Sequence, residues 1–136
     1  MVKEDYVSFE TARLLKKKGF DEECRQYLYV DDNYDNRLHH FDEGVRNSEY
    51  SKWLRERCYF GESYAVPTLQ MAMKWLREKG LYVNVWADPK DLEHDDFSIV
   101  YRMMVYDGVG NHGTYDFTTY EDACEEGIRY CLENKL

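Results

Sequence analysis

The stretch YVDDNYDNRLHHFDEG, Tyr29 to Gly44, gathers five carboxylates and two adjacent histidines among turn-forming Asn and Gly residues. Asp31, Asn33, Asp35 and Asp42 fall near positions 1, 3, 5 and 12 of the calcium-loop pattern D-x-[DN]-x-[DN]-G-x5-E, in which oxygens cage the ion. Arg37 would add its backbone carbonyl. Three features depart from that pattern. Position 6 is Asn36, which tolerates left-handed backbone but is not the expected Gly, and position 12 is Asp42, shorter than the bidentate Glu. The incoming segment RQYLYV (25–30) favours a strand where the motif needs a helix. Asp and Asn clusters between two strand-like runs bond their own backbone and turn the chain. The stretch therefore reads as a hairpin corner, with calcium as the alternative.

Other chemistry-bearing residues stay dispersed. His39 and His40 are neighbours, so on a strand they point to opposite faces and cannot share one ion. His94 lies in an acidic segment and His112 in a glycine-rich one. Cys124 and Cys131 fall seven apart on a helical stripe, about 10 Å along the axis, beyond bridging distance. With Cys24 and Cys58 they form no C-x-x-C pair and read as reduced thiols. GVGNHG (108–113) lacks the Lys-Ser/Thr and following helix of a phosphate cradle. No nucleophile, base or cofactor motif assembles, so the expectation is a non-enzymatic protein without cofactor.

Composition narrows the classes further. A chain of 136 residues with 43% hydrophobic and 16% aromatic content can bury a core. No apolar run reaches the roughly 18 residues of a membrane span, and the N-terminus lacks the pattern of a secretory signal, so a cytoplasmic setting is expected. Net charge is −9, and residues 67–136 carry 13 acids against 7 bases. Such a field repels a polyanion. The basic group Arg13, Lys16, Lys17 and Lys18 falls in the last turn of an expected helix, where it complements the dipole.

These residues need elements to hold them. A helix from Ser8 to Lys18 is capped by Ser8 and stopped by Gly19. Strands at 25–30 and 37–41 follow, then a helix at Ser48–Arg57 and a connector over 59–67. Pro67 opens a third helix that Gly80 closes. LYVNVWA (81–87) alternates, with Leu81, Val83 and Val85 on one face and Tyr82, Asn84 and Trp86 on the other. An acidic loop at 88–96 leads to a strand at 97–107 whose Phe97, Ile99, Tyr101, Met103 and Val105 share a side. GVGNHG turns back into TYDF (114–117), and a Thr118-x-x-Glu121 box starts the last helix. The chain is read as one α+β domain. Residues 67–136 form an α-β-β-β-α subregion with an antiparallel sheet, and residues 1–66 a less regular helix and hairpin packed on it.

The order of elements in 67–136 resembles that of the double-stranded RNA-binding domain, which implies that family's topology. The family grips phosphates with lysines at the start of its last helix and reaches a minor groove through the loop between its first two strands. Here the last helix opens with Tyr120, Glu121 and Asp122, followed by Glu125 and Glu126, and segment 88–96 holds five acids and one lysine. Both contact points oppose RNA. Three blocks, DYVSFETARLLKKKGFDEEC, AVPTLQMAMKWLREKG and TYEDACEEGIRYCLE, covering about 50 of the 136 residues, resemble small uncharacterised proteins of phages and prophages of gut Bacteroidetes. That resemblance implies origin and a host cytoplasm, and assigns no residue a role.

The functional reading is a small acidic interaction protein of a phage or mobile element. Its thirteen tyrosines and three tryptophans supply an aromatic surface for a protein partner or another copy of itself; the face of Tyr82, Asn84 and Trp86 is either the centre of that surface or, as the need of residues 1–66 to pack on something favours, is covered by them. The alternatives are an acidic mimic of nucleic acid that inhibits a host DNA-binding enzyme, and calcium binding through residues 31–42.

Overall fold

The computed structural model describes residues 4–31, 34–113 and 116–136, with backbone only for Tyr34 and Asp35. It is an α+β fold in two compact units, Met1–Thr68 and Leu69–Leu136. The first holds α1 (Phe9–Lys17), β1 (Cys24–Asp31), β2 (Tyr34–Val45), α2 (Asn47–Glu56) and β3 (Glu62–Ala65). The second holds α3 (Leu69–Glu78), β4 (Tyr82–Asp91), β5 (Asp96–Tyr106), β6 (Asn111–Gly113) and α4 (Tyr120–Asn134).

In the first unit α1 starts where expected, the Ser8 hydroxyl accepting from the Thr11 N–H at 3.2 Å. Gly19, at φ 93°, ends it in the left-handed region that suits a residue without Cβ. The antiparallel sheet has the order β2-β1-β3. Tyr27, Tyr29, Arg37, His39 and Phe41 share its α2 side, where Tyr27, Phe41 and Tyr50 pack ring against ring. Tyr64 lies on the other side, under Arg13 and Lys16 of α1. Asn47, at the start of α2, is buried; its Nδ2 donates to the Phe20 carbonyl and its Oδ1 accepts from the Ala65 N–H, both at 2.9 Å. Asp21 supplies the cap that Arg46 lacks, accepting from the Ser48 N–H at 3.0 Å and from its hydroxyl at 2.9 Å.

Two expectations for this unit are corrected. Residues 62–65 form a strand rather than a connector, because β1 offers them a free ladder edge and Asn47 ties down Ala65. Pro67 does not open the third helix. Its carbonyl accepts from the Val7 N–H at 3.0 Å and Thr68 bridges Tyr6, so α3 begins at Leu69.

The second unit is a three-stranded antiparallel sheet in the order β4-β5-β6, with α4 against β4 and β5 and α3 against α4 and β4. This is the expected α-β-β-β-α order. Leu76, Met103, Val105, Ile128, Cys131 and Leu132 are buried in its core. Gly127 lets α4 approach the sheet, since a Cβ there would lie 2.4 Å from Val83 Cγ1. The cap of α4 is Thr119, one residue later than expected, its hydroxyl accepting from the Asp122 N–H at 3.1 Å. The segment 88–96 is also corrected: β4 and β5 stay paired to Asp91 and Asp96, leaving only residues 92–95 as the turn. Cross-strand pairing prevails over the loop-like composition, and edge strand β4 tolerates Pro89 opposite Ile99. Within GVGNHG only residues 108–110 turn, since 111–113 form β6. Of the expected TYDF strand, Thr114 and Tyr115 lie outside the described residues, while Phe117 exchanges two backbone hydrogen bonds with Tyr101.

Candidate interaction surface

Alternation along β4 sends Val83 and Val85 inward and Tyr82, Asn84 and Trp86 outward. Their cross-strand partners on that outer face are Tyr106, Met104 and Arg102. The rings of Tyr82 and Tyr106 sit 6.3 Å apart, tilted by 35°. Tyr82 is 42% and Trp86 38% exposed, so a protein with an apolar core leaves these rings at its surface. Beside them Arg102 is held in place, Nη1 donating to Asp88 at 2.8 Å, Nε to Asp116 at 3.2 Å and Nη2 to the Lys90 carbonyl at 3.2 Å. The sequence placed Tyr82, Asn84 and Trp86 together, and the structure does so.

The opposite face carries a feature that side-chain alternation alone does not show. Phe97, Ile99, Tyr101, Met103 and Val105 form one row along β5. Val105 and Met103 are buried and Tyr101 is half-buried against Tyr120, yet Ile99 is 56% and Phe97 64% exposed. Length explains the gradient. The 15 residues of α4 span about 22 Å at ~1.5 Å each, whereas the 11 residues of β5 span about 37 Å at ~3.4 Å each. The helix ends before the strand does, and the apolar row runs on into an arm.

At the tip of the arm Leu92 is 60% exposed. Asp95 takes a left-handed conformation at φ 57°, one that Asp and Asn accept more readily than most residues. The turn is locked by Asp91, whose carboxylate accepts from the His94 N–H at 3.2 Å and meets His94 Nδ1 at 2.8 Å. Asp96 accepts from the Ser98 hydroxyl and N–H, which hold its carboxyl below the ordinary carboxylate range. The arm is thus an apolar strip bordered by Asp88, Asp91, Glu93, Asp95 and Asp96, with Lys90 among them.

Of the calcium pattern, the two residues whose side chains are described, Asp31 and Asp42, lie far apart. Asp31 ends β1 opposite Tyr34 and accepts from the Tyr29 hydroxyl at 2.6 Å. Asn33 and the side chain of Asp35 lie outside the described residues. Asp42 is exposed on β2, eight positions beyond Tyr34, about 27 Å along an extended strand. Among the described residues no group of three or more His, Cys, Asp or Glu side chains is placed to hold a metal ion. His39 turns toward Tyr50 and His40 toward Tyr6, on opposite faces. His94 stays on the arm, and His112 stacks on Tyr130 at 3.7 Å. Cys24, Cys124 and Cys131 are buried and Cys58 is exposed, and no disulfide joins them. Burial pushes Cys24 up to about 12 and Cys124 and Cys131 up to about 11, the opposite of an activated nucleophile.

No family model, curated protein or solved structure matches the chain. Among the described residues no helix is long and apolar enough to cross a membrane.

Proposed function

We propose that the chain is a small acidic interaction protein of a phage or mobile element, without catalytic activity. It presents the β4–β5 arm and the adjoining aromatic face to a protein segment of apolar and basic character. The observation that carries this reading is the row Phe97–Ile99, which leaves the helix cover and ends among fixed carboxylates. Exposed apolar strips with a polar border are a common form of protein interface. Fully burying Leu92, Phe97 and Ile99 would contribute about 5–9 kcal/mol, of which their exposure leaves roughly 3–5 kcal/mol before the cost of association. That scale suits a transient contact. The border of acids selects for positive charge and against nucleic acid.

Light scattering on the purified chain, then affinity capture from host lysate with wild type and with Phe97→Ser/Ile99→Ser as baits, tests the proposal. Both side chains are exposed, so the double variant should keep its circular dichroism spectrum. A partner, or a dimer, held by wild type and lost by the variant supports the reading. A strict monomer that retains the same proteins as the variant removes it. Displacement of DNA from the captured partner, fading as salt rises, would identify the acidic-mimic alternative instead.

A further inference from the structure

Charge is unevenly divided over this acidic chain, and the division supplies a partner for the arm. Residues 52–60, KWLRERCYF, hold Lys52, Arg55 and Arg57 against the single acid Glu56, in a chain of net charge −9. The acids on either side are engaged elsewhere, Glu49 with Arg46 and Glu62 with Lys16, each at 3.9 Å. We infer that this basic, aromatic end of α2 receives the β4–β5 arm of a second copy, so that the chain associates head to tail with itself. The inference rests on the reading of the arm as a docking surface and names its occupant.

Apolar surface meets apolar surface. Phe60 is 80% exposed, and Tyr59 and Trp53 are exposed as well, while the arm offers Leu92, Phe97 and Ile99. The Arg57 guanidinium lies 4.0 Å from the centre of the Trp53 ring, and its Nη1 donates to the Trp53 carbonyl at 3.2 Å, which holds both at the surface. Trp, Tyr and Arg are the side chains enriched at the energetic centres of protein interfaces. Trp53 and Tyr59 also line a cavity of about 290 Å³, together with Tyr29, Arg37, His39 and Leu54. That space equals about ten waters at ~30 Å³ each, ample for the side chain of Leu92 at the tip of the arm.

Opposite charge sets the pairing. On the arm Asp88, Asp91 and Asp96 serve local bonds, with Arg102, His94 and Ser98, and Glu93 and Asp95 are exposed close to Leu92 in the chain. On α2 Lys52 and Arg55 are exposed three positions apart, neighbours on the helix surface. Attraction between these two sets steers the approach, whereas arm against arm brings like charges together. The basic group at the end of α1 is a poorer receiver, because Lys16 donates to the Ser63 carbonyl at 2.6 Å and lies with Arg13 over the Tyr64 ring. Arm and receiver are different surfaces, so the contact is heterologous and each chain brings one of each.

The test is sedimentation equilibrium on the full chain over a concentration series, in ~0.05 M salt so that charge is little screened. The weight-average mass of the wild type should rise with concentration. Leu92→Ser/Phe97→Ser removes the arm contact and Arg55→Glu/Phe60→Ser the receiver, all at exposed positions, and circular dichroism checks that each variant folds. Each alone should associate at least about tenfold more weakly, as fits the loss of a large apolar contact. An equal mixture of the two should regain the wild-type affinity and stop at two chains, because one copy keeps the receiver and the other keeps the arm. If the receiver pair misfolds, Arg55→Glu alone should weaken association several-fold. A wild type that stays monomeric, a folded variant that associates as the wild type does, or a mixture that does not pair overturns the inference. A monomer whose arm still captures a lysate protein overturns it and leaves the docking reading standing; loss of both ends the two together.

Discussion

Replacing Asn47 by alanine removes one side chain and leaves two backbone groups without a partner. In the native fold the Phe20 carbonyl and the Ala65 N–H each meet Asn47 at 2.9 Å, and Asn47 itself is 5% exposed. An unpaired buried polar group costs about 1–3 kcal/mol, so the pair costs about 2–6 kcal/mol. Alanine returns about 0.5 kcal/mol of helix propensity at the start of α2. Water entering the vacated space recovers part of the remainder, which places the expected loss near 2–4 kcal/mol. Against a typical total of about 5–15 kcal/mol, that is a large fraction. Urea unfolding followed by tryptophan fluorescence measures it. A background with Trp75→Phe and Trp86→Phe leaves Trp53, on the same helix as Asn47, as the remaining tryptophan of the three. With a slope of about 1–2 kcal/mol per molar urea, the midpoint should fall by ~1–4 M. Asn47→Asp keeps the acceptor for Ala65 but faces a second oxygen toward Phe20, so it should not rescue stability at pH 7. A loss below ~0.5 kcal/mol at unchanged slope, well under the cost of even one orphaned group, would refute the assignment of Asn47 as the clamp between the loop after α1 and β3.

Three further outcomes follow from the same geometry. Gly127→Ala should destabilise by about 1–2 kcal/mol, because overpacking against Val83 and Met103 exceeds the ~1 kcal/mol gained from helix propensity, and Val83→Ala in the same chain should recover most of it in thermal melts. A colourless-to-yellow disulfide reagent at pH 8 should titrate one thiol quickly, that of exposed Cys58, and release the remaining three only in denaturant; a second fast thiol contradicts the burial of Cys24, Cys124 and Cys131. Asp107 is held below the ordinary carboxylate range by the Gly110 N–H, the Lys135 ammonium and the Val109 N–H, so its stabilising effect is present at neutral pH and fades as pH falls through that range. The same contact with Asp107 raises Lys135, so the pair also weakens as alkaline pH rises through that lysine's elevated value, and the melting-temperature gap between wild type and Asp107→Asn should close at both ends.

Periodicity made most of the second unit legible. Alternation in LYVNVWA and in FSIVYRMMVYD gave two strands with the correct inward faces, and Pro67 to Gly80 bracketed α3 to within two residues. What stayed hidden depends on distant partners. GESYA is too short and mixed to announce a strand, and β3 exists because β1 and Asn47 complete its hydrogen bonds. DPKDLEHDD looks like a loop by composition, yet the ladder extends through it because solvated acids on an arm cost little. The row from Phe97 to Val105 was visible as one face. Its division into covered and uncovered parts was not, because that depends on where α4 ends against β5. The cavity beside Trp53 draws its lining from β1, β2, α2 and the segment after it, at spacings no linear motif records.

Strand β4 is the rim of its sheet, and a bare rim invites a second chain to zip onto it. Pro89 contributes no N–H to such a zipper, and the ladder slips register between Pro89 and Asp91. Lys90 and the surrounding carboxylates add mutual repulsion between copies aligned in the same sense. Along the β4 edge, therefore, the arm resists growth of the sheet by a second copy laid beside it.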